Sequence, residues 1–487
     1  MSKLTRKMLS YSEHTYRIFF VRGLESARWQ FGIWKAWRVF EHARVAVPAY
    51  KKFLNERVTT VPLSGWTPVL DIIPSMDKES YVKKYTIEER CVDGKIPSRG
   101  VMIDESSGTS GSPNNWVRGP KEREAVRFGL HTAVHFAVGN KPIFYIDAFA
   151  LGPWATGMNV AMSLVDIVML KTTGPDLSKI INTLKLFGPS YHYVIAGYPP
   201  FLKSLCDSEE IDWSQYDIVA SFGGEGMSEG MRAYLLRKFK FVYGNYGASD
   251  LEINVASEND FTIALRQKIM SHEGLYKKIV RHNSLPMVFQ YNSFDYYIET
   301  NQGGELLVTL CRMENISPKV RYNIHDLGHV MRLPELERIL REEGLSLDDI
   351  GLLPTDLPFL FHYGRSDMSV AFFGSKITPS EIEEIVFAHE GIRGDVASFS
   401  IITTEDEHAN KRLTLALELA QGKEKLSYEG DLAKELFDAL RVRNQDFREA
   451  SKMIPAGFEP GVEVSLFGEG PFAVNDIRLK KHYIQQR

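Results

Sequence analysis

Cysteine is scarce in this sequence: Cys91, Cys206 and Cys311 are the only three among 487 residues, far apart and odd in number. They form no CxxC pair of the kind that holds zinc and no disulfide framework, so a reducing cytoplasm is the expected setting. Charge of one sign is lacking too. Against 62 acidic residues stand 58 Lys and Arg, a net charge of -4, which offers no broad attraction to a polynucleotide or an anionic membrane. Neither a nucleic-acid nor a membrane partner is expected. Long apolar runs are missing: the stretch from Tyr16 to Val21 is interrupted by Arg17 and closed by Arg22, too short and too charged for a signal peptide or a span. No GK[ST] tripeptide occurs, which excludes a Walker A loop. Internal repeats and low-complexity segments are absent as well.

What remains is the composition of an ordinary globular protein, 44% hydrophobic and 25% charged. At this length one core stops growing, so two or three folding units are expected. Over residues 28–43 apolar side chains recur at helical spacing (Trp29, Phe31, Ile33, Trp34, Trp37, Phe40) before Pro48. Core packing is the expected use of that stripe, and a membrane or partner helix the alternative. From 143 to about 309 short apolar runs (143–149, 167–170, 193–196, 218–222, 241–243) alternate with helical stretches (177–187, 201–206, 229–238). That rhythm predicts an α/β fold with mainly parallel sheets covered by helices, ligands gathering beyond the strand C-termini. A charged segment at 327–362, helical over 336–343, has no functional reading. After Gly364 the pattern restarts. Thr378-Pro379-Ser380-Glu381 is a capping box opening a helix at 381–389; runs at 396–402 and 413–419, a helix at 432–444 and a terminal strand pair complete a small α+β unit. The expected division is 1–366 and 367–487.

Three glycine-bearing segments carry the chemistry. In Ser106-Ser107-Gly108-Thr109-Ser110-Gly111-Ser112-Pro113 seven of eight residues are Ser, Thr or Gly, a composition that lets backbone N–H groups and hydroxyls close on an anion; a plain flexible linker is the alternative. Ser221-Phe222-Gly223-Gly224-Glu225-Gly226 lies between a strand and a helix, where parallel sheets build nucleotide pockets. Tyr243-Gly244-Asn245-Tyr246-Gly247-Ala248-Ser249-Asp250 leaves another strand and ends on a carboxylate suited to magnesium, although a glycine turn explains the same pattern.

In this order and spacing the three segments resemble those of the acyl-adenylate-forming enzyme superfamily. Arg321-Tyr322-Asn323-Ile324-His325-Asp326-Leu327-Gly328 resembles its ribose-binding aspartate motif. Gly364-Arg365-Ser366-Asp367, with Gly374-Ser375-Lys376-Ile377 and Pro379-Ser380-Glu381-Ile382-Glu383, is similar to its hinge and the start of its C-terminal lid. Val47-Pro48-Ala49-Tyr50 and Ile73-Pro74-Ser75-Met76-Asp77-Lys78 point to the phenylacetate-CoA ligase-like branch. The resemblance implies a large N-terminal domain with a mobile lid, and ATP-dependent conversion of a small carboxylic acid to its acyl-AMP. The acyl group then passes to a thiol, with coenzyme A, a carrier protein or an amine as the acceptors to be weighed.

It further implies that Ser106, Ser107, Gly108, Thr109, Ser110 and Gly111 wrap the ATP phosphates. Gly223, Gly224, Glu225, Asn245, Gly247, Ala248 and Ser249 would line the adenine site, with Tyr246 packed on the base. Asp326 would bind ribose, Arg365 ribose or phosphate, and Asp367 would be the hinge. Three departures stand out. Asp250 occupies the family's glutamate position, with Glu252 as a second candidate for Mg2+; of the Tyr-x-Thr-Gly-Asp motif only the aspartate survives; and the near-terminal Gly-Lys is missing, leaving Lys480 and Lys481 as candidates for the catalytic lysine. The expected acyl pocket draws on Tyr145, Phe149, Trp154, Gly157, Ala196, Gly197 and Tyr198, a lining suited to a compact aryl or alicyclic acid, with ordinary strand packing as the alternative. Asp147 would meet an ammonium group if it faced that pocket. Two rival readings are a serine hydrolase built on Gly226-Met227-Ser228-Glu229-Gly230 and a non-catalytic nucleotide-binding relative. Oligomeric state is open between monomer and homodimer.

Overall fold

The computed structural model describes residues 22–57, 70–106, 114–138, 141–152, 155–282, 285–353, 355–366, 369–406, 408–473 and 484–486. Ser107, Gly108, Thr109, Ser110, Gly111, Trp154, Asp367, Lys480 and Lys481 lie outside the described residues.

The aromatic stripe forms α1 (Glu25–Ala46), and Pro48 opens α2 (Pro48–Asn55). Trp37 and Phe40 are buried in the main core, and Phe31 stacks on Phe294 with ring centroids 5.4 Å apart. Gly32 permits that approach, since a Cβ there would stand 2.1 Å from the Ser293 carbonyl oxygen. The elements that follow are β1 (Met102–Ser106), β2 (Asn114–Arg118), α3 (Pro120–Val138), β3 (Ile143–Asp147), α4 (Ala155–Leu164), β4 (Met169–Thr172), α5 (Leu177–Phe187), β5 (His192–Gly197), α6 (Pro199–Cys206), β6 (Asp217–Gly223), α7 (Glu229–Leu235) and β7 (Phe241–Tyr246). Local chemistry sets their limits. Asp176 caps α5 by accepting from the Lys179 amide, Gly188 ends it at φ 74°, and prolines stand in the first turn of α6.

Beyond β7 come β8 (Ala256–Ser257), α8 (Asp260–Ser271), α9 (Glu273–Ile279), β9 (Met287–Tyr291), β10 (Tyr296–Thr300), β11 (Glu305–Leu310), β12 (Tyr322–Met331), α10 (Leu333–Glu342) and β13 (Phe359–Arg365). Apart from the β1-β2 hairpin, these strands form one sheet in the order β10-β11-β12-β13-β9-β8-β7-β6-β5-β3-β4. The α/β class holds, but the sheet is mixed: parallel from β4 to β7 and antiparallel from β7 to β10. The short link 301–304 leaves no room for the crossover that a parallel pair needs, so β10 and β11 pair antiparallel, whereas β9 pairs with β13 and β8. The segment 327–362 belongs to this sheet, because β12 and β13 pair from Met331↔Phe359 to Asp326↔Arg365 with α10 packed outside.

Strand periodicity separates two cores. Phe144, Ile146, Tyr193 and Ile195 face the main core with α5 and α6, whereas Tyr145, Val194, Val219 and Tyr243 face a second cluster with α3 and α4. The second face holds the site.

From residue 370 the chain builds β14 (Val370–Phe372), β15 (Ser375–Ile377), α11 (Pro379–Ala388), β16 (Val396–Glu405), β17 (Lys411–Leu419), α12 (Leu432–Arg443), α13 (Gln445–Ser451), β18 (Gly461–Ser465) and β19 (Ile484–Gln486). Both capping-box hydrogen bonds between Thr378 and Glu381 form at the start of α11. Ile382, Val386, Leu415, Leu417, Phe437 and Phe447 lie in a core of their own. The last two strands do not pair with each other as expected; in the order β18-β17-β16-β19 they take opposite edges, because each adds in parallel to a different strand of the β16-β17 hairpin. Among the described residues no helix is long and apolar enough to cross a membrane.

Candidate active site

A cavity of about 570 Å3 opens at the C-terminal ends of the parallel strands. Gly223 and Gly224 reach it from β6, Asn245 from β7, and Gly247, Ala248 and Ser249 from the loop after β7. Backbone lines this wall because little else fits: a Cβ on Gly247 would lie 2.4 Å from the Ile253 backbone. The loop is braced from the β1-β2 hairpin. Arg118 binds Asp104 at 3.0 Å and Glu122 at 2.7 Å and donates to the carbonyl of Ser249. The hairpin's register runs from Met102↔Arg118, at the brace, to Ser106↔Asn114.

Asp326 lies behind this wall on β12, 5% exposed. Its Oδ2 accepts from the Tyr246 hydroxyl at 2.7 Å and is 3.4 Å from His362 Nε2, while Oδ1 is 3.7 Å from Arg365. Burial works to raise its pKa, but His362, Arg365 and Lys376 outweigh it and hold the carboxyl far below the usual range. Asp326 and Arg365 are thus brought together. Tyr246 is not free to cover a base: it is buried, tied to Asp326, and packed on His362 at 4.8 Å between centroids. The neighbouring His325 sits at φ 64°, a left-handed conformation rare outside glycine, and its carbonyl accepts from the Ser366 amide at 2.6 Å. Glu305 accepts from Ser366 Oγ and from Asn323, and lies 3.1 Å from His325 Nδ1; its pKa falls to about 2 because these hydrogen bonds, Ser366 first, overcome burial.

The two magnesium candidates part company. Glu252 is 2% exposed, with Arg312 on one oxygen and the Tyr296 hydroxyl on the other at 2.6 Å, so it serves a buried ion pair and does not fit a metal site. Asp250 accepts from Tyr322 at 3.0 Å and faces Lys78 at 3.4 Å. Burial pushes its pKa up, yet Lys78 and Lys376 bring it below the ordinary value, so it stays a carboxylate. As a hard oxygen donor beside the Ser249 loop, Asp250 is the member of the pair that fits.

Glu225 is not part of the cavity wall. It accepts from the Gly374 amide and binds Lys411 Nζ at 2.6 Å, docking the second unit onto the first. Beside it the Tyr198 ring is wedged between Gly224 at φ 81° and Gly374 at φ 83°; a Cβ on either would stand 2.8 or 2.7 Å from that ring. Docking brings Lys376, Asp446, Glu449 and Met453 to the cavity. A second cleft of about 510 Å3 lies along the same junction, lined by Phe201, Lys203, Lys411, Lys452 and Phe458, and shares Phe373 and Met453 with the first.

Of the expected acyl pocket, Tyr145, Phe149 and Tyr198 line the cavity. Ala196 is wholly buried in the second core, and a Cβ on Gly157 or Gly197 would meet Ala150 O at 2.5 Å or the Phe201 ring at 3.3 Å, so these three pack rather than line. Asp147 is 0% exposed and is not among the residues that line the cavity; burial raises its pKa to about 7, and its carboxyl accepts from the Phe149 amide. The apolar wall instead comes from α3 (Leu130, Ala133, Val134, Val138), from Val194 and Val219, and from Ile350 and Leu352 in the link between α10 and β13. Ser228 caps α7, accepting from the Met231 amide, and its hydroxyl goes to Glu405 rather than to a histidine, which removes the hydrolase reading.

No family model matches the sequence. No curated protein matches it either. Solved structures do. A 2-hydroxyisobutyryl-CoA ligase complexed with 2-HIB-AMP and CoA in the thioesterification state aligns at TM-score 0.63 and 14% identity over 95% of this chain and 90% of that one. The same ligase in a postadenylation state with R3-HIB-AMP gives 0.55 at 12% identity over 96% and 91%, and in an open conformation with 2-HIB-AMP and CoA 0.53 at 14% over 93% and 90%. With its mixed eleven-stranded sheet, its docked C-terminal unit and this near end-to-end alignment, the chain has the fold of that 2-hydroxyisobutyryl-CoA ligase.

Proposed function

We propose that this protein is an ATP-dependent carboxylate-CoA ligase: it converts a small aromatic or cyclic carboxylic acid to its acyl-AMP with release of pyrophosphate, then passes the acyl group to coenzyme A. One observation carries the reading. The glycine-lined ends of β6 and β7, the Ser249 loop and Lys376 meet an apolar chamber in a single cavity, with Asp326 and Arg365 ion-paired behind it. An acyl adenylate has that shape, a polar nucleotide joined through phosphate to a hydrophobic body.

In this reading the acid needs no general base, because a carboxylate is already ionised at pH 7 and attacks the α-phosphorus directly. Positioning and charge neutralisation supply the rate. The Ser106 to Gly111 loop holds the phosphates, Asp326 the ribose, and Asp250 would hold magnesium, which neutralises phosphate charge when bound. Arg365 backs Asp326. Lys480 or Lys481 would serve adenylation from the C-terminal unit, 367–487, turning against 1–366 about Asp367.

Coenzyme A is favoured over a carrier protein or an amine by the second cleft, which runs from the surface to Phe373 and Met453 at the cavity and carries Lys203, Lys411 and Lys452. The higher score against the thioesterification-state neighbour accords with a docked second unit. A cytoplasmic protein without nucleic-acid or membrane partners completes the proposal, as monomer or homodimer. Acid-dependent exchange of labelled pyrophosphate into ATP, across aryl, alicyclic, amino and short-chain acids, tests it. Exchange that follows an aryl or cyclic acid supports the assignment; exchange without any acid dependence, in protein that binds ATP, rejects it.

A further inference from the structure

A polar seam crosses the apolar wall of the main cavity. Val194 on β5 and Val219 on β6 stand side by side on that wall, and the next positions on the same face are polar: Ser221 on β6, Asn245 on β7 and Ser257 on β8. Asn245 and Ser257 are direct cross-strand partners. Asn245 Nδ2 donates to Ser221 Oγ at 3.0 Å, and Ser221 stands beside the Tyr145 phenol. The Ser257 hydroxyl lies 3.0 Å from Asn245 Oδ1 and 3.0 Å from Oδ1 of the buried Asn254.

The hydrogens along this seam do not suffice. A hydroxyl carries one hydrogen, so Ser257 serves one of the two amide oxygens at a time, and among the described residues no other group donates to either. An acceptor left open in an apolar wall is costly until a donor reaches it. The carboxylates that follow are already engaged: Glu258 is held by Arg232 at 2.7 Å and by the Gly244 amide at 2.7 Å, and Asp260 accepts from the Tyr243 hydroxyl at 2.7 Å. The open partner is therefore a neutral one. Behind Ser257 and Asn254 a smaller cavity of about 70 Å3 adjoins the main one, lined in part by Asn259, Gln290 and Thr355, so a polar substituent does not end against hydrocarbon.

We propose that the acid selected by this cavity carries a neutral hydrogen-bond donor on its ring, a hydroxyl or an aryl amine, and that Asn245 and Asn254 are the residues that select it. The inference rests on the ligase reading above and narrows it, from any small aromatic or cyclic acid to one bearing such a donor. The substituent gives its hydrogen to whichever amide oxygen Ser257 leaves. An unsubstituted acid binds with that oxygen unpaired, and an ether in place of the hydroxyl brings a further acceptor and no hydrogen.

Acid-dependent pyrophosphate exchange by the full chain tests this, with benzoate against its hydroxy, amino and methoxy derivatives and cyclohexanecarboxylate against its hydroxy and methoxy derivatives. The readout is a ratio of kcat/KM within one protein. At least one hydroxy or amino acid should exceed both its parent and its methoxy counterpart by about tenfold or more. Asn254→Leu removes one acceptor and leaves Ser257 to serve Asn245, so the ratio should fall to within about threefold of parity. Ser257→Ala removes that donor and should keep the ratio at about tenfold or above. A merely structural part for the two residues would move both ratios alike, and the wild-type ratio decides alone where a variant does not fold. Similar rates with hydroxy, methoxy and parent acids, or collapse of the ratio in both variants, overturn the inference and leave the ligase standing. Exchange with no acid of any class overturns the ligase reading, and the inference with it.

Discussion

The Tyr246 hydroxyl donates to Asp326 at 2.7 Å across 80 residues of sequence, joining the end of β7 to β12 and the carboxylate proposed to bind ribose. In the proposed site Tyr246, held by Asp326 and packed on His362, would position that carboxylate rather than stack on the base. Tyr246→Phe keeps the ring and removes the bond, which costs about 1 kcal/mol of stability and lets Asp326 turn. The KM for ATP should rise about threefold to tenfold with kcat little changed. A ring that stacked on adenine would tolerate phenylalanine, so an unchanged KM would speak for stacking instead.

Asp326→Ala removes the carboxylate itself. The KM for ATP should rise well beyond the effect of Tyr246→Phe, on the order of a hundredfold, corresponding to loss of charge-assisted hydrogen bonds worth about 3 kcal/mol. The far-ultraviolet circular dichroism should not change. An ATP KM within twofold of wild type would take Asp326 out of the site.

Glu225 is where the two units meet. Glu225→Gln keeps its volume but cannot pair fully with Lys411 while accepting from Gly374. Acid-dependent pyrophosphate exchange should stay within about threefold, while acyl transfer from preformed adenylate to coenzyme A slows about tenfold. Equal loss in both half-reactions would make Glu225 part of the nucleotide site after all.

Asp147 is a buried acid whose pKa is raised to about 7. Its native form therefore binds a proton that the unfolded chain releases near pH 4. Its contribution to stability is complete below that pH, declines as pH rises, and is gone above about 7. Asp147→Asn should raise the melting temperature at pH 8 relative to wild type and lose that advantage as pH falls to about 4, the difference amounting to roughly 4 kcal/mol. A pH-independent difference would show that Asp147 does not titrate in this window.

These residues also mark what was legible before the fold was known. Glycine turns, caps and strand rhythm are local, so Gly223, Gly247, the Thr378 capping box and the strands from 143 to 246 could be read directly, and the cavity lies where they indicated. Partnerships across long sequence separations could not. Glu252 looks like a metal ligand until Arg312, 60 residues on, claims it, and Tyr246 looks like a stacking ring until Asp326 does. The α3 wall is illegible for another reason: Leu130, Val134 and Val138 obey the same helical period whether they face a core or a cavity. Lys376 is turned to the cavity by alternation along β15, a signal present in the sequence but meaningless until the partner of that face is known.

Pyrophosphate release from ATP by the full chain, measured acid by acid with and without coenzyme A, bears most directly on the proposed activity. Release should depend on one class of aryl or cyclic acid and increase several-fold when coenzyme A clears the adenylate. ATP binding without acid-dependent release from any member of the panel would contradict a ligase and leave a nucleotide-binding protein.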